Sequence, residues 1–210
     1  MHYTEIPRHP LGLPPGSVRA ILALQVVLTF WLLLLVPEQQ KVVIPLYLYF
    51  LVALVMIFFV SHGKSIARKK DPTPSPLYLP GGSVRFIIVA GTAAVIGYLT
   101  YLRQTDPDAP NRFDRLNPTM AQLEYWKFYV GALLIGFTLG YAVRVLPFQH
   151  SYAYQSFQAW TAILAMFSLT ADMIFQVFIN TTLVEKLGLG VVYWQTAVTG
   201  IAAFYYGSRS

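Results

Sequence analysis

The chain has 210 residues, 56% of them hydrophobic and 11% charged, with a net charge of +6 and no cysteine. A soluble domain carries about a quarter charged residues, so water-soluble, disordered and collagen-like chains are excluded. The missing cysteine excludes a disulfide scaffold, thiolate metal sites and cysteine nucleophiles. What remains is an all-α integral membrane protein, in keeping with a mean hydropathy of +0.53.

A membrane-spanning helix needs about 20 mainly apolar residues. Six runs meet that expectation: Val18 to Val36, Val42 to Ser61, Val84 to Leu102, Tyr125 to Val145, Ser156 to Thr182, and Val191 to Tyr206, the last begun a turn earlier. They read as three helical hairpins. Residues 1–16 are a cytoplasmic N-terminal segment, 17–76 the first hairpin, 77–146 the second and 147–210 a diverged third. Pro37-Glu38-Gln39-Gln40-Lys41 is the tight turn of the first hairpin, and Pro45 falls in the opening turn of its second helix, where a missing N–H is tolerated. Residues 103–123 form a long outer loop, punctuated by Pro107, Pro110 and Pro118, that either caps the bundle or stays mobile. The first apolar run is too long for a cleavable signal and is not followed by a small-x-small site, so it reads as a retained anchor.

Lys and Arg favour cytoplasmic loops. With the N-terminus inside, nine basic residues fall on the inner side (Arg8, Arg19, Lys64, Arg68, Lys69, Lys70, Arg85, Arg144, Arg209) against two acids, a net +7. Six basic and six acidic residues fall outside, and Asp172 lies within the fifth span. Both termini are then cytoplasmic, and the basic balance is a topology signal and an attraction for anionic lipid rather than a nucleic-acid footprint. Lys64, Arg68, Lys69 and Lys70 read as a stop-transfer cluster or an anionic-lipid contact. Tyr98, Tyr101, Tyr125, Trp126, Tyr193 and Trp194 fit an outer interfacial belt, and Tyr152, Tyr154, Tyr205 and Tyr206 an inner one.

The strongest internal signal is a repeat. Residues 11–21 match residues 77–87 at eight of eleven positions, offset by 66. With two spans per unit this is a parallel repeat, unlike the inverted repeats of many secondary transporters. A fainter echo lies at Leu146-Pro147. The shared LPxGSVR pattern resembles a recurring feature of bacterial membrane proteins, in keeping with a bacterial inner membrane, and implies no activity. Ser17 and Ser83 are expected as N-caps. Arg19 and Arg85 fall in the first helical turn, where a cation opposes the helix dipole and needs an anionic offset. The motif therefore reads as a helix-start and orientation device or as an anion or lipid-headgroup site built on Ser17, Arg19, Ser83 and Arg85.

The fifth span carries a polar stripe. Gln158, Thr161, Ala165, Ser168, Asp172, Gln176 and Asn180 recur at steps of three and four, which places them on one helix face. An acid within a span is costly and marks function by default. Asp172 either binds a proton or cation, or is a packing residue held by Gln176, Ser168, Gln25, Thr29, Gln195 or Thr199. Small residues form further faces: Gly136 and Gly140 on the fourth span; Thr196, Gly200, Ala203 and Gly207 on the sixth; Ala90, Ala94 and Gly97 on the third. Such faces bring helices together, either inside the chain or between chains.

No sequence signature of a hydrolase, a nucleotide site or a dinucleotide fold occurs. His2, His9, His62 and His150 are too scattered to make a metal site, and no cofactor is expected. The expected function is a non-enzymatic, polytopic subunit that scaffolds a membrane assembly, as a homo-oligomer or in a larger complex, with anionic lipid on its cytoplasmic side. The alternative is a small channel or proton- or cation-coupled transporter using the Asp172 stripe.

Overall fold

The structure, a computed structural model, describes residues 13–14, 16–37, 42–61, 76–106, 111–145, 152–179 and 188–209. Lys64, Arg68, Lys69, Lys70, Asn180, the Leu146-Pro147 echo, the first-hairpin turn at 38–41 and all four histidines lie outside the described residues.

The described residues are helical, without strands. The long helices are α1 (Ser17–Leu35), α2 (Leu46–Ser61), α3 (Ser83–Thr105), α5 (Trp126–Val145), α6 (Tyr152–Ile174) and α7 (Gly188–Gly207). The short α4 spans Met120–Glu124, and α6 runs on into a π-helical turn at Phe175–Ile179. Among the described residues, four stretches are long and apolar enough to cross a membrane: Ser17–Leu35, Ser83–Thr105, Trp126–Val145 and Ala153–Phe178. The second apolar run begins as helix only at Leu46, so Pro45 precedes the helix instead of entering it. Val42, Ile44 and Pro45 are buried there as non-helical backbone.

Proline and glycine set the helix limits. Pro37 disfavours helical dihedrals at the residue before it, and α1 ends with Val36 at ψ 137°. At the helix starts the N-cap residues are Gly16 and Gly82, not Ser17 and Ser83 as expected. Both glycines are left-handed, at φ 84° and 89°, a conformation open to glycine without a Cβ penalty. The two turns share their hydrogen bonds as well. Ser17 N donates to Pro14 O and Ser83 N to Pro80 O, each at 3.1 Å. The serine hydroxyls do other work: Ser83 Oγ donates to Pro80 O at 2.7 Å, and Ser17 Oγ accepts from Leu77 N at 2.8 Å. That second bond braces Leu77 and Tyr78, which sit at φ 57° and 56°, strained values for residues with side chains.

The most intimate helix pair is α5 with α7, which run parallel. A Cβ on Gly136 would overlap the Gly200 carbonyl, one on Gly140 the Phe204 carbonyl, and one on Gly207 the Phe137 carbonyl. The Gly136/Gly140 face therefore packs within the chain, against the face that contains Gly200. Helix α3 is the opposite case. It packs on α1, where Trp31 lies over Gly91, and only Val84, Ile88 and Leu99 are buried along it. Among the described residues, seven threonines return their hydroxyls to a carbonyl four residues back, as the buried Thr199 Oγ1 does to Gln195 O at 2.8 Å.

The described part of the long loop caps one end of the bundle, as one of the two expectations for it held. Arg115 Nη1 donates to Val36 O at 2.7 Å and to Leu33 O at 3.2 Å, and Arg112 Nη1 to Leu35 O at 3.0 Å. These carbonyls belong to the last turn of α1 and its C-cap Val36, which lack partners within the helix, and a cation there complements the dipole. Thr119 and Gln122 form a capping box for α4, and Gln122 Nε2 also donates to Ile44 O at 3.1 Å. Non-helical backbone next to Pro45 is thereby satisfied by protein, as an apolar surround demands. Arg115→Ala should lower stability by about 2 kcal/mol, the scale for a charged hydrogen-bond donor to a helix end. An unfolding midpoint equal to that of the unaltered protein would show that the guanidinium does not hold α1.

Candidate functional site

The polar stripe is real over most of its length and points inward. Gln158, Ala165, Ser168, Asp172 and Gln176 are all buried, between 0% and 4% exposed. Thr161 departs from it: partly exposed, it donates to Phe157 O on its own helix at 2.8 Å. A step of three from Gln158 carries it off the buried face, while Ala162 and Ala165 stay in.

Asp172 is the hub. Tyr47 of α2 donates its hydroxyl to Asp172 Oδ2 at 2.7 Å, and Gln195 of α7 donates from Nε2 to Oδ1 at 3.4 Å. Tyr129 of α5 donates to Gln195 Oε1 at 3.0 Å, and Gln176, just inside the π-helical turn, adds a side-chain hydrogen bond to the carboxyl group. One carboxyl group so ties together α2, α5, α6 and α7. Of the partners expected for it, Gln176 and Gln195 are engaged. Gln25 instead joins α1 to α6, donating to Met166 O and Thr170 Oγ1, both at 2.7 Å.

Tyr47 and Tyr129 were not legible as site residues. Both stand near helix starts in runs that read as uniformly apolar, where tyrosine suits an interface. The available signal was a phenol within a mainly apolar span. Tyr47 is the second residue of α2 and Tyr129 the fourth of α5, so the acid lies close to the loop end of the bundle.

The opposite end holds the described basic residues Arg19, Arg85, Arg144 and Arg209, and no described carboxylate. Here Arg19 lies 4.6 Å over the Phe58 ring, which packs 5.4 Å from Tyr206. Gln158 Nε2 donates to Ser208 O at 3.1 Å and joins α6 to the end of α7. The motif residues do not converge. Arg19 turns into the bundle beside α2 and α7, whereas Ser83 and Arg85 start the peripheral α3. Tyr205 and Tyr206 correct the expected inner belt, since they are 2% and 0% exposed and pack in the core. Tyr98, Tyr101, Trp126, Tyr193 and Trp194 are exposed, in keeping with interfacial positions.

Comparison with protein families, curated proteins and solved structures finds no match to this chain.

Proposed function

We propose that the chain is a six-span, polytopic membrane subunit that scaffolds a lateral assembly, built from an N-terminal parallel repeat and a diverged third hairpin. The carrying observation is the contrast between its helices. The α2–α5–α6–α7 cluster is closed around a hydrogen-bonded acid, while α3 is held on one side only. Phe86, Val89, Ile96, Tyr98 and Tyr101 are exposed along α3, and Gly97 has nothing within 4 Å of where a Cβ would stand. Small residues on an unpacked lipid-facing helix are where a second helix approaches in a bilayer. The basic end would face the cytoplasm of a bacterial inner membrane and its anionic lipids, with both termini on that side. The matching dihedrals at Gly16 and Gly82 support the repeat.

The test is the mass of the particle in native nanodiscs, against 23.6 kDa for one chain. A multiple of that mass, or a stoichiometric membrane partner, is expected, and Gly97→Leu should reduce it to one chain. A lone chain in nanodiscs would end the scaffold reading. Ion flux in proteoliposomes that Asp172→Asn abolishes would replace it with the channel or transporter reading.

A further inference from the structure

We infer that the basic end of the bundle holds a built site for a phosphate group, formed by Arg19 and Arg209 with the hydroxyl of Tyr206. Three observations carry it. Tyr206 is fully buried, and its hydroxyl makes no hydrogen bond among the described residues. A buried hydroxyl without a partner is costly enough to call for an explanation. The Tyr206 ring packs 5.4 Å from the Phe58 ring that Arg19 overlies, so a guanidinium is its near neighbour.

The charge among the described residues is also unbalanced. Those at this end include Arg19, Arg85, Arg144 and Arg209, and no carboxylate. Arg209 pairs with the Tyr205 hydroxyl, which leaves its charge in place. Arg19 also lies in the first turn of α1, the positive end of the helix dipole. The C-terminal end of α7 offers only about half an elementary charge, against two full guanidinium charges. Phe58 supports Arg19 from one side through its ring face and leaves the planar donors of the guanidinium for an oxyanion.

A tetrahedral phosphate suits this arrangement, with a bidentate contact from Arg19, a second charge from Arg209 and one hydrogen bond from Tyr206. The group is either the headgroup phosphate of an anionic lipid or free phosphate. The inference rests on reading this end as the anion-facing side of a membrane protein. It is independent of lateral assembly, which is read from particle mass.

The experiment follows the thermal unfolding midpoint of the full chain in neutral detergent. Inorganic phosphate is titrated at constant ionic strength against chloride, and phosphatidylglycerol against phosphatidylcholine. The midpoint should rise with phosphate or with phosphatidylglycerol, and not with chloride or phosphatidylcholine. A rise with inorganic phosphate alone assigns the site to the free anion, and a rise with phosphatidylglycerol alone assigns it to the lipid. Tyr206→Phe, nearly isosteric, should raise the midpoint without ligand by removing the orphan hydroxyl, and weaken the ligand response about tenfold. Arg19→Gln should abolish the response. No rise with either probe, or an undiminished rise in Tyr206→Phe, overturns the site.

Discussion

Gly140→Ala is expected to separate α5 from α7 and to cost about 3 kcal/mol, the upper range for forcing extra volume into a well-packed interior. The added methyl would overlap the Phe204 carbonyl oxygen and stand 2.7 Å from the Ser208 nitrogen. Both obstacles are backbone, so no side chain can swing aside, and relief requires the helix axes to move apart. That movement also weakens the contacts at Gly136 and Gly207, whose Cβ positions meet carbonyl groups in the same way. Gly200 is the internal control. A Cβ there would lie 3.7 Å from Ala132 O and 3.8 Å from its Cβ, ordinary contact distances, so Gly200→Ala should be tolerated. Thermal unfolding of the two variants side by side decides the matter, and equal midpoints would show that the α5–α7 contact does not set stability.

Asp172→Leu should cost about 2–4 kcal/mol by leaving the Tyr47 hydroxyl and the Gln195 amide buried without an acceptor. Asp172→Asn keeps one acceptor oxygen for Tyr47. Its new NH2 faces the Gln195 Nε2, and flipping Gln195 to suit would break the bond from Tyr129. The expected loss is about 1 kcal/mol, near the size of one hydrogen bond between membrane helices. The order of the two variants is the informative part. If Asp172→Leu unfolds no earlier than Asp172→Asn, the carboxyl group is not the tie between the four helices. Tyr47→Phe supplies an independent check, since it removes the 2.7 Å contact at the acid while keeping the ring that packs 6.5 Å from Tyr129.

Periodicity and helix breakers located the long helices, but not the start of α2 at Leu46, nor α4 within the loop. Pro37 and the Asp106-Pro107 pair mark helix ends that the apolar run alone leaves open, and Gly188 starts α7 a turn before the last run, as expected. The inward face of α6 was equally legible, because a step of three or four residues is a property of one helix. The partners of that face were not. Tyr47 lies 125 residues from Asp172, and nothing local in either segment records the meeting. The N-caps failed for a different reason. Serine is a good cap in general, but the preceding glycine takes the left-handed turn that begins the helix, and the hydroxyl is freed to bond elsewhere. Arg112 and Arg115 were counted among the six outer basic residues. That they reach carbonyls about 80 residues away depends on how a proline-punctuated loop folds back, and charge counting holds no information on that.

The clasp that Arg112 and Arg115 place on α1 has a temporal side. The chain is made from its N-terminus at roughly 5–20 residues per second, so α1 is complete several seconds before its clasp exists. During that interval its final carbonyls lack their guanidinium donors, and Ile44 O lacks the Gln122 amide. The far end of α1 thus gains its clasp only after α3 has been made, and before α5 follows it.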